Sequence, residues 1–523
     1  MLLSRSSAGG IPNGPSCCAS VSRDERIARV IAFESQAGDI APGTRRGTAN
    51  IFVVGRLRPW TTTGSPWLAG PAYLVTRGVG GRRANGPSYA PKVSGDSAHL
   101  PLCVAFLSRA SNLVHGDRNR RADAFVADLR SGRITRVSVG SAGQEADGST
   151  TEVSVDGACS RVAFTSDATN LQPSARQAAR RWPGARASAP ARSTAQVYVH
   201  YLQRRGPRSR RLAGLTMLAS RAAAGSADRP AAQLSLSSKG ASIAFVSAAA
   251  NLGAPTGGIA QVWEADISER LASRGRMRMA VRTRLVSRTP AGGGASGPSI
   301  TPSIDHDGGT IAFATLAPEL TGLPPSGVWQ VVKLAPREPA TAPTIISKSQ
   351  HETRPPALPG NASSLGPQIS EGGLWVFFDS RATNLFAFGH SEPQRQVWRW
   401  TDPSLRATAD LSGLQLKSIA GPGTGTRTGS STPSTAPASS ARGNYMTFES
   451  EDPSLDYERI VRNGPPWVRT IAAARPYGVL QPGLPPGALR GLPGAGGTFD
   501  PSLPTAPADP RLHQVFLRYL GPQ

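Results

Sequence analysis

The chain has 523 residues, 39% of them apolar and 18% charged, with 57 Gly, 46 Pro and a formal net charge of +24. It contains no run of 18 or more apolar residues, which excludes a membrane-spanning helix. Only five of its 58 basic residues are Lys (Lys92, Lys239, Lys333, Lys348 and Lys417) and the Arg are spread over many segments; a phosphate-binding face would cluster them, so sequence-specific nucleic-acid binding is set aside.

In chain order, the first element is not a signal peptide, because Met1-Leu2-Leu3-Ser4-Arg5 has no apolar core. A β-branched run ending in Phe then recurs: Val30-Ile31-Ala32-Phe33, Cys103-Val104-Ala105-Phe106, Arg161-Val162-Ala163-Phe164, Ser242-Ile243-Ala244-Phe245, Thr310-Ile311-Ala312-Phe313, Trp375-Val376-Phe377-Phe378 and Tyr445-Met446-Thr447-Phe448. The steps from Phe to Phe are 73, 58, 81, 68, 65 and 70 residues. A motif returning at tens of residues signals a repeat architecture, which overrides a domain count based on length.

Each unit adds three strand-like pieces in constant order. A Ser-rich strand and a turn precede the motif, as in Ser299-Ile300-Thr301-Pro302-Ser303-Ile304 and Asp305-His306-Asp307-Gly308. Behind it come a polar residue, a β-former and an aromatic, as in Gln261-Val262-Trp263, and then a piece such as Thr283-Arg284-Leu285-Val286-Ser287. Four short antiparallel strands per unit, repeated radially, make a propeller blade. The predicted fold is therefore all-β: one domain, 1–523, a seven-bladed β-propeller with blades near 20–77, 89–138, 151–220, 233–287, 299–347, 366–419 and 444–520. The seventh unit lacks a fourth strand, and Leu2-Leu3-Ser4-Arg5 matches Leu285-Val286-Ser287-Arg288. The last blade is therefore expected to be closed by the N-terminal strand, residues 1–5. Glu269 to Arg282 is expected to form a short helix. Loop insertions at 174–194, 421–443 and 456–512 all fall on the face that carries second-to-third strand loops and connections between blades.

The order of Ser-rich strand, Asp-Gly turn, Val-Ala-Phe strand, Asn-Leu turn (Asn112-Leu113, Asn170-Leu171, Asn251-Leu252, Asn384-Leu385), aromatic strand and Thr-Arg-Val-Ser strand resembles the TolB-like, WD40-like (PD40-type) repeats of bacterial β-propellers. The resemblance spans nearly the whole chain and is specific for fold, while propellers host binding modules and enzymes alike. Because relatives of this type are commonly exported, it implies a periplasmic or extracellular location. The chain opens on its closing strand, so a natural start upstream is preferred over a cytoplasmic protein.

Chemistry is sparse. There is no nucleophile elbow, phosphate loop or zinc-protease motif. The seven His (99, 115, 200, 306, 351, 390 and 513) occupy different blades and are read as surface or turn residues. Asp96, Asp156 and Asp307 are read as turn residues, and the Asn of each Asn-Leu as a left-handed turn. Gly116-Asp117-Arg118-Asn119-Arg120-Arg121-Ala122-Asp123 alternates oxygen ligands, but its Arg residues favour a plain turn over a cation loop. Without C-x-x-C spacing no metal or cofactor is expected; Cys103 and Cys159 are read as either bridged or idle, and Cys17-Cys18 as a pair just before the first inner strand.

The leading functional reading is a monomeric, non-enzymatic scaffold that binds a protein or other macromolecule through the insert-bearing face. Arg180, Arg181 and Trp182 in one insert and Trp467 in another are the candidate partner-binding residues. The competing readings are a hydrolase or lyase with its site at the central channel, and a binder of polyanions or an envelope surface through dispersed Arg.

Overall fold

The structure, a computed structural model, describes residues 2–8, 11–24, 28–57, 67, 69–173, 194–202, 212–223, 225–271, 277–289, 292–338, 342–349, 358–385, 394–405, 413–418, 434–441, 443–450 and 514–519. The candidate residues Arg180, Arg181, Trp182 and Trp467 lie outside the described residues, as does the 456–512 insertion.

Blade one is β1 (Ser16–Val21), β2 (Val30–Ser35), β3 (Asn50–Arg56) and β4 (Ala69–Leu74); blade two is β5 (Ser88–Val93), β6 (Cys103–Ser108), β7 (Asp123–Asp128) and β8 (Ile134–Arg136). Blade three is β9 (Thr150–Val155), β10 (Arg161–Ser166), β11 (Gln196–Tyr201) and β12 (Thr216–Leu218), followed by a small hairpin, β13 (Arg221–Ala222) and β14 (Gly225–Ser226). Blade four is β15 (Ala231–Leu236), β16 (Ser242–Ser247), β17 (Gln261–Leu271) and β18 (Met277–Leu285). Blade five is β19 (Ser299–Ile304), β20 (Ile311–Thr315), β21 (Gln330–Leu334) and β22 (Thr344–Ile345), with a one-turn helix, α1 (Pro318–Thr321), in its second-to-third strand loop. Blade six is β23 (Ser364–Ile369), β24 (Trp375–Ser380), β25 (Gln396–Thr401) and β26 (Gly413–Leu416), and blade seven is β27 (Ser434–Ser439), β28 (Tyr445–Ser450) and β29 (Gln514–Tyr519).

The first strands contact one another in a ring, β1 to β5, β9, β15, β19, β23, β27 and back to β1. Seven apolar clusters fill the seven seams between neighbouring blades; one joins Phe33 and Phe52 of blade one to Tyr445 and Leu517 of blade seven. Seven seams for seven sheets is the arithmetic of a closed ring. Every motif Phe lies in this core. In four blades it stacks on the aromatic directly across the ladder: Phe33 on Phe52, Phe106 on Phe125, Phe164 on Tyr198 and Phe448 on Phe516, at 5.6 to 6.0 Å between centroids. Such pairs contribute about 0.5–1.5 kcal/mol beyond their buried area.

The polar half of the signature is a clasp repeated in the six four-stranded blades, with Ser4 of the N-terminal segment making it on Gln514 and Val515 in the seventh. The Ser or Thr two residues past the fourth strand donates to the polar residue that opens the third: Thr76 to Asn50, Ser138 to Asp123, Ser220 to Gln196, Ser287 to Gln261, Ser347 to Gln330 and Ser418 to Gln396. The same hydroxyl accepts the next third-strand N–H, as Ser287 Oγ does from Val262 at 2.9 Å.

Several expectations are corrected. Among the described residues the seventh sheet has three strands, and the expected N-terminal closing strand is not shown as a ladder: residues 2–4 meet β29 at an isolated bridge, Leu2 to Phe516. Leu3 N donates to Val515 O at 2.9 Å, Ser4 Oγ donates to Gln514 Oε1 at 2.7 Å, and Ser7 N already turns away to Asp39 O. Too few residues run beside β29 to make a ladder. The segment expected as a helix is instead the outer end of a long hairpin, paired from Trp263–Leu285 out to Leu271–Met277. The Asn of Asn-Leu is absent from the left-handed residues. It clamps the preceding connection between blades, as when Asn170 Nδ2 donates to Glu145 O at 2.8 Å and its Oδ1 accepts Asp147 N. Cys17 and Cys18 lie inside β1, not before it.

Candidate functional site: the axis of the ring

The first strands line the axis, and in six of them a bulge sets two residues against the motif Phe or its equivalent; in β1 Cys18 and Ala19 oppose Phe33. The first bulge residue is left-handed in Cys18, Ala90, Gln233, Thr301, Gly366 and Ala436. The second is Pro at positions 91, 302, 367 and 437, where a missing N–H costs no ladder bond. The bulge turns an N–H toward the neighbouring blade, and side chains from that blade accept it. Glu449 Oε1 takes Cys18 N at 2.6 Å, Glu34 Oε2 takes Ala90 N at 3.3 Å and Gln233 Oε1 takes Thr301 N at 2.7 Å. Glu152 takes Gln233 N at 2.8 Å and Leu234 N at 3.2 Å, with Thr165 Oγ1 at 2.7 Å. Asp379 takes Ala436 N and pairs with Arg395 at 3.3 Å. Burial raises the Glu34 carboxyl, with the Ala90 N–H opposing and the Glu449 charge adding; burial pushes Asp379 up to about 6 despite Arg395.

Deeper along the axis, Ser20, Ser235 and Ser303 accept N–H groups of the next blade from Val93, Ile304 and Ile369, at 3.0 to 3.2 Å. Lys92 holds the corresponding place in blade two and reaches solvent along the axis. Protein nevertheless surrounds it, and this enclosure, followed by the like charge of Arg23, lowers its pKa. Burial likewise lowers that of Arg23, against the attraction of Glu371 and Asp305.

At the far end, the first-to-second strand turns lock to one another. Gly95 N donates to Gly157 O, Gly157 N to Ser238 O, Lys239 N to His306 O and Glu371 N to Ala441 O, at 2.8 to 3.0 Å. A Cβ on Gly157 would lie 2.1 Å from Asp96 Oδ2, so only Gly permits this approach. His306 Nδ1 lies 3.2 Å from Glu371 Oε1 and 3.9 Å from Asp96 Oδ2; Glu371 Oε1 also accepts Ser97 N at 3.2 Å, and His99 Nδ1 meets Asp96 Oδ1 at 2.8 Å. Blades two, five and six thus join across the axis. The Glu371 hydrogen bond raises the His306 pKa over a smaller burial effect; burial works against Glu371, yet His306 holds its carboxyl below the usual range. Placed between two carboxylates, the His306 ring latches these turns together.

His306 is a turn residue, but it converges with Asp96 and Glu371, a meeting that no spacing in the sequence announces. His200 is neither surface nor turn: it is 6% exposed within β11. Thr216 Oγ1 donates to Val139 O, so His200 Nδ1 must donate to Thr216 Oγ1 at 2.9 Å, and burial lowers its pKa to about 4. In the Asp117–Asp123 turn, Arg136 Nη1 occupies the place of a cation, 3.2 Å from Asp117, 3.8 Å from Asp123 and 2.6 Å from Glu145. The acids after the motif Phe were missed, although Glu34, Asp379 and Glu449 recur at one repeat position and so carried a signal. Cys103 and Cys159 are bridged, as are Cys17 and Cys18.

Neither a family model nor a curated protein matches the sequence. Among solved structures, the chain is similar to a putative TolB from Agrobacterium tumefaciens (11% identity, TM-score 0.33, 66% of this chain and 83% of that one). It is also similar to an oligogalacturonate lyase from Vibrio parahaemolyticus (10%, 0.41, 84% and 88%). A third is an acylaminoacyl peptidase from Pyrococcus horikoshii (9%, 0.39, 85% and 50%), of which the chain spans half the length. No helix among the described residues is long and apolar enough to cross a membrane. The similar solved structures thus include a TolB-like protein, and the chain itself is a seven-bladed β-propeller.

Proposed function

We infer that the protein is a non-enzymatic propeller scaffold that binds a protein or other macromolecular partner through the face bearing its second-to-third strand loops and blade connections. One observation carries this reading. The described acids and His along the axis are engaged in holding blades together: Glu34, Glu152, Asp379 and Glu449 on bulge N–H groups, and His306, Glu371 and Asp96 on one another. A catalytic pair needs groups free to exchange protons with a substrate. Arg180, Arg181, Trp182 and Trp467 remain the proposed partner contacts. The test is affinity capture with the full chain, followed by hydrogen exchange on the purified complex. Stoichiometric capture with protection of loops 36–49, 109–122 and 248–260, weakened by R180A/R181A/W182A, supports the scaffold. Protection confined to the first-to-second strand turns refutes it. The second reading, a hydrolase or lyase at the axis, is favoured by Asp379, whose pKa of about 6 suits a proton donor. Glycan or peptide turnover abolished by D379N would replace the scaffold reading.

A further inference from the structure

In a regular strand, adjacent side chains point to opposite faces. The β1 bulge breaks that rule. Cys17 lies directly across the ladder from Glu34, and Cys18, at φ 61°, swings to the same side. The two Sγ atoms and a Glu34 carboxylate oxygen all lie within 4.8 Å of one another, the one such group of three metal-type ligands among the described residues. Cys18 is exposed and Cys17 and Glu34 half-buried, so solutes reach the group from the axis. A second carboxylate stands beside it, since Glu449 Oε1 is 2.6 Å from Cys18 N.

We propose that this cluster is a redox-gated site for a thiophilic divalent cation of the zinc or cadmium type, open when the Cys17–Cys18 bond is reduced and closed when it is oxidised. A dithiol or phosphine reductant supplies two electrons and the sulfurs take up two protons, giving two thiols. The cation then binds as both protons leave, held by two thiolates and the Glu34 carboxylate, with water or Glu449 completing the shell. Tetrahedral zinc has ligand distances of about 2.0–2.3 Å, which place its donors about 3.3–3.8 Å apart. The observed grouping lies within a small side-chain adjustment of that. Reoxidation by a peroxide or a disulfide removes two electrons, restores the S–S bond and expels the cation, because a carboxylate pair alone binds zinc-type ions weakly at such a site. The site is independent of which partner, if any, docks on the loop-bearing face.

The experiment uses the full chain with the second bridge removed, C103S/C159S, titrated with Cd2+ before and after phosphine treatment. Thiolate-to-metal charge-transfer absorption and equilibrium dialysis report binding. One Cd2+ per chain is expected after reduction and none before, with binding abolished in C17S/C18S. Glu34→Gln should weaken it at least tenfold, as loss of a ligand does. If C103S/C159S does not fold, the wild type serves after mild reduction, with alkylation and mass mapping showing that Cys17 and Cys18 alone have opened. Absence of binding by the reduced chain, equal binding by the oxidised chain, or undiminished binding by E34Q overturns the proposal.

Discussion

Ser287→Ala tests whether the clasp that recurs in all blades holds the sheets together. Ser287 and Gln261 are fully buried. Ser287 Oγ donates to Gln261 Oε1 at 2.5 Å and accepts Val262 N at 2.9 Å, while Gln261 Nε2 donates separately to Ala295 O at 2.9 Å. Removing one oxygen therefore orphans two buried groups, an acceptor and a backbone donor. Each orphan costs about 1–3 kcal/mol, and partial relaxation brings the expected loss to about 2–4 kcal/mol. Two controls isolate the cause. Ser287→Thr keeps the oxygen in the form blade one uses, where Thr76 Oγ1 bonds Asn50 Oδ1 at 3.0 Å, and should lose less than Ser287→Ala, because only its added methyl must be accommodated. Ser131→Ala, on an exposed turn, should be near neutral. Equilibrium urea unfolding followed by Trp fluorescence measures all three. If S287A is no worse than S131A, or S287T no better than S287A, the clasp is decoration and the account of the repeat is wrong.

Three further outcomes follow from other sites. His200 has its pKa lowered to about 4 by burial, against about 6.5 when unfolded, so the unfolded chain binds the extra proton between those values; stability is full above pH 6.5 and falls by up to roughly 3 kcal/mol as pH drops toward 4, and H200Q should flatten that limb of a pH–unfolding series. His306 has the opposite sign, since its raised pKa makes the contribution of the Glu371 pair full below pH 6.5 and lost as pH climbs past the folded value, so H306Q should narrow the loss of stability as pH rises above 6.5. C103S/C159S, which opens a bridge spanning 56 residues, should cost about 2–4 kcal/mol in the same unfolding assay, and a loss under 0.5 kcal/mol, on the order of surface-mutation effects, would refute that.

The ring was legible because its signature residues have packing or hydrogen-bonding tasks that recur from unit to unit: Phe in the core of all seven and across from a third-strand aromatic in six, Ser or Thr on Gln, Asn or Asp, and Asn on the preceding connection in four. A side chain needed that often leaves a period. The long hairpin of blade four was legible too and was misread. Met277, Met279, Val281, Thr283 and Leu285 alternate with Arg278, Ala280, Arg282 and Arg284, the period of a strand, while Met, Ala and Arg suggested a helix by propensity. The latch at the far end of the axis could not be read in this way. Ser97 and Glu371 are 274 residues apart, and His306 comes from a third blade. Nothing local couples them, because only ring closure makes them neighbours. The Cys17–Cys18–Glu34 group needed the bulge, which the sequence shows only indirectly, through Pro at the same step of other first strands.

The blade-two to blade-three seam explains where the second disulfide sits. At other seams, one blade reaches the next with an acid after the motif Phe, as from Glu34 or Glu449, with a first-strand side chain, as from Glu152 or Gln233, or with a Ser deeper along the axis, as from Ser20, Ser235 or Ser303. Blade two has Leu107 at the first position and Lys92 at the second. Leucine has no polar atom, and an ammonium has donors but no acceptor, so neither can take an N–H from blade three. This is the seam that Cys103 and Cys159 cross. Among the described residues the covalent bond stands where these two side-chain contacts are missing, beside the backbone bonds Gly95 N to Gly157 O and Thr150 N to Ala122 O that also cross this seam. Reduction should therefore open the protein locally before it unfolds globally, with amide exchange rising first along β5 and β9 while the clasped seams stay protected. Uniform loss of protection around the ring would show instead that the bridge stabilises the chain as a whole, and that Leu107 and Lys92 leave no gap to fill.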